Sequence, residues 1–226
     1  MGLYDCVIFV AHPDDAFLGM GGTMAKFVSE GKKILLVCAS HGENGNAQSG
    51  NLRLTELKRA AVLCGIDYKV LAFTDGEMMY SLHGLHRAFS EILVTANPLL
   101  IATHHPCDAH SDHQAVYRCG QTAMEHMWHL LKGTTRLCHS LSFSPIRINA
   151  NNLGMLKFNI FSDISEFSDQ KTAMISCHQS QQPYLQKNIN KHRALSSFLG
   201  SLCDCAQAEG FYEEKQQPTS FQFFHN

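Results

Sequence analysis

Two short stretches of this 226-residue chain are crowded with side chains that bind metal ions or move protons. The first reads Ala11-His12-Pro13-Asp14-Asp15, and the second reads Thr103-His104-His105-Pro106-Cys107-Asp108-Ala109-His110-Ser111-Asp112-His113. An imidazole and a carboxylate from the first, with an imidazole from the second, make three nitrogen and oxygen ligands and leave a fourth position for water. That is the donor set of a catalytic zinc site. Asp14 and Asp15 are adjacent carboxylates, which repel each other unless a cation is near. Because they project differently, one can bind the ion while its neighbour takes a proton from the ion's water, whose pKa zinc lowers to about 7. The spacing Ser111-x-x-Gln114 reads as a capping box that starts a helix at Ser111. It puts His113 in the first turn, where the helix dipole favours a neutral, ligating imidazole. His110 lies just outside that helix and is free for a separate task. A lone histidine is more often a satisfied core or surface residue, so the clustering is what points to chemistry.

These stretches must be held together by a fold, and the pattern between them supplies one. Tyr4 to Val10, Lys33 to Ala39, Tyr68 to Phe73 and Leu99 to Thr103 are short apolar runs of strand character. Between them, Thr23 to Glu30, Leu52 to Cys64 and Leu85 to Thr95 have helical spacing, with Gly65 ending one helix and Asn97-Pro98 following another. Strands alternating with helices predict an α/β fold: a Rossmann-like, mostly parallel sheet with helices on both faces. In such sheets ligands gather at the carboxyl ends of the strands, where both reactive stretches fall. The glycines of Gly19-Met20-Gly21-Gly22 are read as a loop before the first helix. They do not make a dinucleotide fingerprint, because Met24 stands where its third glycine belongs. Further along, the pattern predicts a helix from about Asp112 to Leu131, strands near Leu141 to Phe143 and Phe158 to Phe161, and helices around Lys171 and over Ile189 to Leu202. The segment after Glu213, ending in Phe221 to Phe224, fits either a terminal strand or a piece docked on a neighbour.

Composition narrows the function classes. With 45% apolar and 17% charged residues the chain is an ordinary globular one, and at this length one domain over residues 1–226 is expected. Eighteen basic against twenty acidic side chains give a net charge of −2, which offers no field for a nucleic acid backbone. Apolar runs such as Cys6 to Ala11 are far below the ~20 residues of a membrane span. The start Met1-Gly2-Leu3-Tyr4-Asp5 lacks the pattern of a signal peptide, nine cysteines are an odd number, and there is no Asn-x-Ser/Thr acceptor. The expectation is a cytoplasmic protein with reduced thiols.

The order and spacing of these motifs resemble a known family. Ala11-His12-Pro13-Asp14-Asp15 followed by Gly19-x-Gly21-Gly22-Thr23, with His110-x-Asp112-His113 downstream, is similar to the PIG-L/LmbE family of zinc-dependent N-acetylglucosaminyl deacetylases. Ser40-His41-Gly42-Glu43, Arg53-x-x-Glu56, Asp75-Gly76, Asp163-Ile164-Ser165, Lys171 and His178-x-Ser180-Gln181 extend the likeness over residues 5 to 185. The resemblance implies that His12, Asp15 and His113 ligate Zn2+ or another divalent metal, and that Asp14 is the general base. It implies that His110 stabilises the oxyanion or protonates the departing amine. Arg53 and Asp75 are implied to reach sugar hydroxyls, and Asp112 to support a histidine. The implied reaction removes the acetyl group from the nitrogen of an N-acetylated amino-sugar glycoside, releasing acetate and a free amine. The partners expected are thus a small-molecule glycoside and, by the same resemblance, a second copy of the chain.

The chain departs from many members at one point. They carry a glutamate directly after the aspartate pair or one position later, where this chain has Ala16 and Phe17. That change bears on metal affinity and on what enters the pocket, and it leaves every implied ligand and the base in place. Two other readings stand beside deacetylation: a metal hydrolase with another amide or ester substrate, which the scarcity of Lys and Arg near these loops turns away from phosphate, and a binding protein that keeps the fold without turnover.

Overall fold

Cys6, Ile8 and Val10 point to one side of a sheet, and Val7 and Phe9 point to the other, where each set joins a separate hydrophobic core. All five residues are fully buried, which is why this segment reads as continuously apolar rather than alternating. The computed structural model describes residues 3–45, 50–130, 138–147, 151, 153–182 and 184–213. In chain order the elements are β1 (Cys6–Val10), α1 (Asp15–Ser29), β2 (Ile34–Cys38), α2 (Gly50–Cys64), β3 (Asp67–Val70), α3 (Leu82–Ala96), β4 (Leu100–Thr103) and α4 (Ser111–Leu130). They continue with β5 (His139–Phe143), β6 (Ile160–Asp163), α5 (Ser168–Ile175), α6 (Tyr184–Ser201) and β7 (Ala208–Glu213). The segment after Glu213, on which an expectation was placed, lies outside the described residues.

The seven strands form one sheet in the order β3-β2-β1-β4-β5-β7-β6. The first five run parallel, and β7 inserts antiparallel between β5 and β6. This is the α/β architecture expected, with α1, α2, α5 and α6 covering one face and α3 and α4 the other. Strand order reverses between β1 and β4, which pair with Ile8 beside Ala102. The connections leaving these two neighbours diverge, and the crevice between them is where an open α/β sheet binds ligands.

The glycine-rich segment is not the loop the sequence suggests. Helix α1 starts at Asp15 and runs through Gly19-Met20-Gly21-Gly22, bending at Met20 (φ −145°, ψ 26°). These glycines serve close packing: a Cβ on Gly19 would collide with the Phe143 ring, and one on Gly22 would lie 2.8 Å from Ile164. The bend frees the N–H groups of Gly22 and Thr23, which donate to Glu209 Oε1 and Oε2 at 3.0 and 2.8 Å. Glu209 also accepts from Lys171 Nζ at 2.6 Å, and the whole cluster is buried. A carboxylate of β7 thereby caps the second half of α1 while a lysine of α5 balances its charge. Strand β7 itself was not read from the sequence.

Replacing Glu209 by Gln takes away that charge at nearly constant volume and leaves Lys171 buried and uncompensated. Denaturant unfolding should show a loss of about 3–5 kcal/mol. A loss indistinguishable from that of a surface substitution would show that the cluster does not anchor α1.

Candidate active site

The loop after β1 and the loop after β4 converge at the strand-order reversal. His12 Nδ1, Asp15 Oδ2 and His113 Nε2 stand at the corners of a nearly equilateral triangle. The sides are 3.2 Å between the two histidines, 3.3 Å from His12 to Asp15, and 3.4 Å from His113 to Asp15. Donors held about 2.0–2.1 Å from a tetrahedral ion are about 3.3 Å apart, so these three residues fit a zinc-sized cation without rearrangement. Local chain structure sets each corner. Asp15 is the first residue of α1, and its Oδ2 also accepts the His12 N–H at 2.7 Å, which ties the two first-loop donors into one turn. His113 lies in the first turn of α4.

Each histidine is backed by carboxylates. His12 Nε2 lies 3.0 Å from Asp75 Oδ1 and 3.4 Å from Asp112 Oδ2, and His113 Nδ1 lies 2.9 Å from Asp108 Oδ2. Carboxylates behind metal-ligating imidazoles fix the ring and raise its basicity. Burial alone would press the His12 pKa down, but the Asp15 charge and contacts with Asp112, Asp15 and Asp75 hold it well above the ordinary histidine range. Burial would raise Asp15, yet His113 and His12 hold it well below the usual carboxylate range. Asp108, against the same burial, is brought down to about 2 by His113 and by His104. A cation held by His12, Asp15 and His113 would compete with protons for the two imidazoles, so its binding would depend on pH.

The structure places the remaining sequence candidates as follows. Asp14 precedes α1 and is partly exposed, and its Oδ1 accepts from Arg53 Nη2 at 2.6 Å. His110 is half-buried, with its ring 5.0 Å from that of His12 and stacked 4.6 Å from that of His113. Asp112 accepts from the Gly76 and Met78 N–H groups, and these hold it behind His12. Arg53 and Asp75, implied to reach sugar hydroxyls, are both buried beside these groups. Asp75 spends one oxygen on His12 and the other on the Asn44 N–H. Arg53 spends one terminal nitrogen on Asp14 and the other on the Gly42 carbonyl. Both are thus committed to the site's own residues.

The helix cap also differs from the sequence reading. His110, not Ser111, caps α4: its carbonyl accepts the Gln114 N–H and its Nδ1 accepts the Asp112 N–H at 3.2 Å. Gln114 reaches past the expected partner to the Asp108 carbonyl. A ring accepting at Nδ1 carries its proton on Nε2. Burial and the neighbouring His113 and His12 lower the His110 pKa and keep the ring neutral.

Two members of the site carried no assigned role in the sequence. His104 is fully buried, stacks on His113 with ring centres 3.9 Å apart and only 10° between planes, and accepts the Ala11 N–H at 3.0 Å. Parallel rings cannot turn two lone pairs to one ion, so His104, Asp108 and His113 do not form a second metal triangle and instead steady His113. Asp108 accepts from the N–H groups of His110, Ile146 and Arg147. Its place in a run of six other ligand-type residues was the available signal, but spacing alone did not tell ligand from support. At the point of departure from the family, Ala16 and Phe17 are both fully buried in the core, with the Phe17 ring 5.4 Å from that of His178. Apolar packing therefore occupies the place where many members have an acid.

A family model described as GlcNAc-PI de-N-acetylase matches residues 7–124, which hold both reactive loops. The chain belongs to the PIG-L family. Among PIG-L relatives, the 1D-myo-inositol 2-acetamido-2-deoxy-alpha-D-glucopyranoside deacetylase of Thermomonospora curvata is 29% identical over 154 residues, covering 53% of this chain and 52% of that enzyme. The chain thus spans about half the length of that relative. The diacetylchitobiose deacetylase of Thermococcus kodakarensis is 26% identical over 220 residues, covering 88% of this chain and 79% of that one. In fold, the conserved protein TT1542 of Thermus thermophilus superposes with a TM-score of 0.84 at 23% identity, over 99% of both chains. A 4-carboxy-2-hydroxymuconate hydratase of Pseudomonas putida superposes with a TM-score of 0.80 at 19% identity, over 96% of this chain and 98% of that one. Fold alone therefore leaves the reaction open, and the site must decide it. No described helix is long and apolar enough to cross a membrane.

Substituting His12, Asp15 or His113 by Ala should abolish tight zinc binding in competition with a chromogenic chelator. Asp108→Asn should weaken it by about 10–100-fold while the far-ultraviolet circular dichroism is unchanged. Zinc affinity unaltered in Asp108→Asn would remove Asp108 from the support of His113.

Proposed function

We propose that this PIG-L family chain is a zinc-dependent hydrolase that cleaves the acetamide of an N-acetylated amino sugar. The products are acetate and the free amine of the sugar. The observation that carries this reading is the donor triangle of His12, Asp15 and His113, with sides of 3.2–3.4 Å, beside an aspartate outside it. The printed names of the Thermomonospora and Thermococcus relatives, both deacetylases of acetamido sugars, support the substrate class.

Held by that triangle, a divalent ion would supply Lewis acidity toward the amide oxygen and acidify water at neutral pH. Asp14 accepts the proton from the attacking water through the oxygen that Arg53 does not occupy. Its carboxyl then returns that proton to the departing nitrogen as the carbon–nitrogen bond breaks. His110 is the donor to the developing oxyanion, because its Nδ1 is taken by the Asp112 N–H and its single proton sits on Nε2. A neutral ring serves better in that role than as the acid for the amine, since surrendering its one proton would leave an imidazolate. Asp75 and Asp112 orient His12, and Asp108 and His104 orient His113.

The test is Asp14→Asn assayed against N-acetylated glycosides with free amine as readout. Turnover should fall by about 10²–10⁴-fold, with zinc content unchanged. Full activity in that variant, or water addition without amine release by the unaltered protein, would overturn the assignment.

A further inference from the structure

Away from the candidate active site, α5 and α6 enclose a small cavity with room for about one water-sized particle. Lys171, Thr172, His192, Arg193 and Ser196 contribute polar lining, and among the described residues no aspartate or glutamate lines it. His192 is 2% exposed, and its Nε2 has no hydrogen-bond partner among the described residues. A buried imidazole nitrogen left in that state is costly unless something inside the cavity meets it. Lys171 is buried as well, and the 2.6 Å bond to Glu209 uses one of the three protons its ammonium carries. Arg193 is exposed, donates to Thr172 Oγ1 at 3.4 Å, and forms no ion pair among the described residues. Burial, then the Lys171 and Lys191 charges, hold the His192 pKa well below the ordinary histidine range against the opposing pull of Asp108. The ring is therefore neutral and has one N–H to give.

We propose that the cavity between α5 and α6 is a binding site for a halide-sized monoanion. A water would meet the His192 nitrogen equally well, but it would leave the lining with two cations against Glu209, the carboxylate that pairs with Lys171. An anion answers that excess and accepts from the imidazole, the Ser196 hydroxyl and the remaining ammonium protons together. Room for a single heavy atom turns away phosphate, sulfate and carboxylates. Arg193 carries the lining out to solvent and marks the way in. The ion would also bear on α1. The Lys171 stem packs against that helix, where a Cβ on Gly21 would stand 3.1 Å from Lys171 Cγ, and its ammonium holds the carboxylate that caps the bend. Occupancy thus steadies the helix that begins with Asp15.

The experiment uses bromide and chloride as probes. Crystals soaked in sodium bromide should show an anomalous-scattering peak inside the cavity. Denaturation midpoints in sodium chloride and in sodium gluconate, at equal pH and ionic strength, should differ by about 2–4 °C once chloride is several-fold above its dissociation constant. That difference should saturate with chloride. Arg193→Gln, at an exposed position, should lose most of it, and His192→Phe, which keeps a ring and removes the donor, should lose the bromide peak. An ordered water without anomalous signal in the cavity, with a chloride-independent midpoint, would overturn the proposal. Bromide confined to the surface, an adventitious ion only, would do the same. A chloride effect kept in full by Arg193→Gln would place the ion elsewhere and equally reject this site, whether or not His192→Phe folds.

Discussion

The site exists because β1 and β4 are neighbours. Their loops are separated by about ninety residues of sequence, and only the reversal of strand order after β3 lays them side by side. Once Ile8 and Ala102 are in register, the next residues of each strand have little freedom. His12 and Asp15 close one turn through a backbone hydrogen bond, and His113 enters from the first turn of α4. The donor triangle thus follows from sheet pairing plus two short helical starts, not from a long flexible loop finding its ion.

A second constraint is desolvation. Four imidazoles and five carboxylates occupy a region where most are buried, and such charges persist only if each faces an opposite partner. The pairing is systematic: Asp75 and Asp112 face His12, Asp108 faces His113, and Arg53 faces Asp14. His104 and His110 stack on the two faces of this arrangement through His113, with ring centres 3.9 and 4.6 Å away. Among the described residues, Arg53 takes one carboxylate oxygen of Asp14 and the Asp112 N–H takes Nδ1 of His110, which leaves the other oxygen and the other ring nitrogen for the proposed chemistry.

Much of this was legible in the residues. Apolar runs alternating with helical spacing give the parallel half of the sheet, because a strand buried on both faces has a distinctive composition. The histidine and aspartate clusters, at the ends of two such runs, mark the site. What was not legible depends on contacts remote in sequence. The glycines of α1 look like a loop until Phe143 and Ile164 are seen pressed against them. Ser111 looks like a cap until the His110 ring takes the place of its hydroxyl. The partners of Arg53 and Asp75 were not legible either, since a sequence does not show which polar side chains pair with which inside.

The Glu209 clamp has an implication for how the molecule comes into being. Glu209 lies 187 positions beyond Gly22, whose amide it binds, and it belongs to the last described strand. A nascent chain emerging from the ribosome would expose its aspartate pair long before the residue that steadies their helix has been synthesised. Completion of the second half of α1 therefore waits on a contact of very high sequence separation, whose loop-closure cost is met only when β7 joins the sheet.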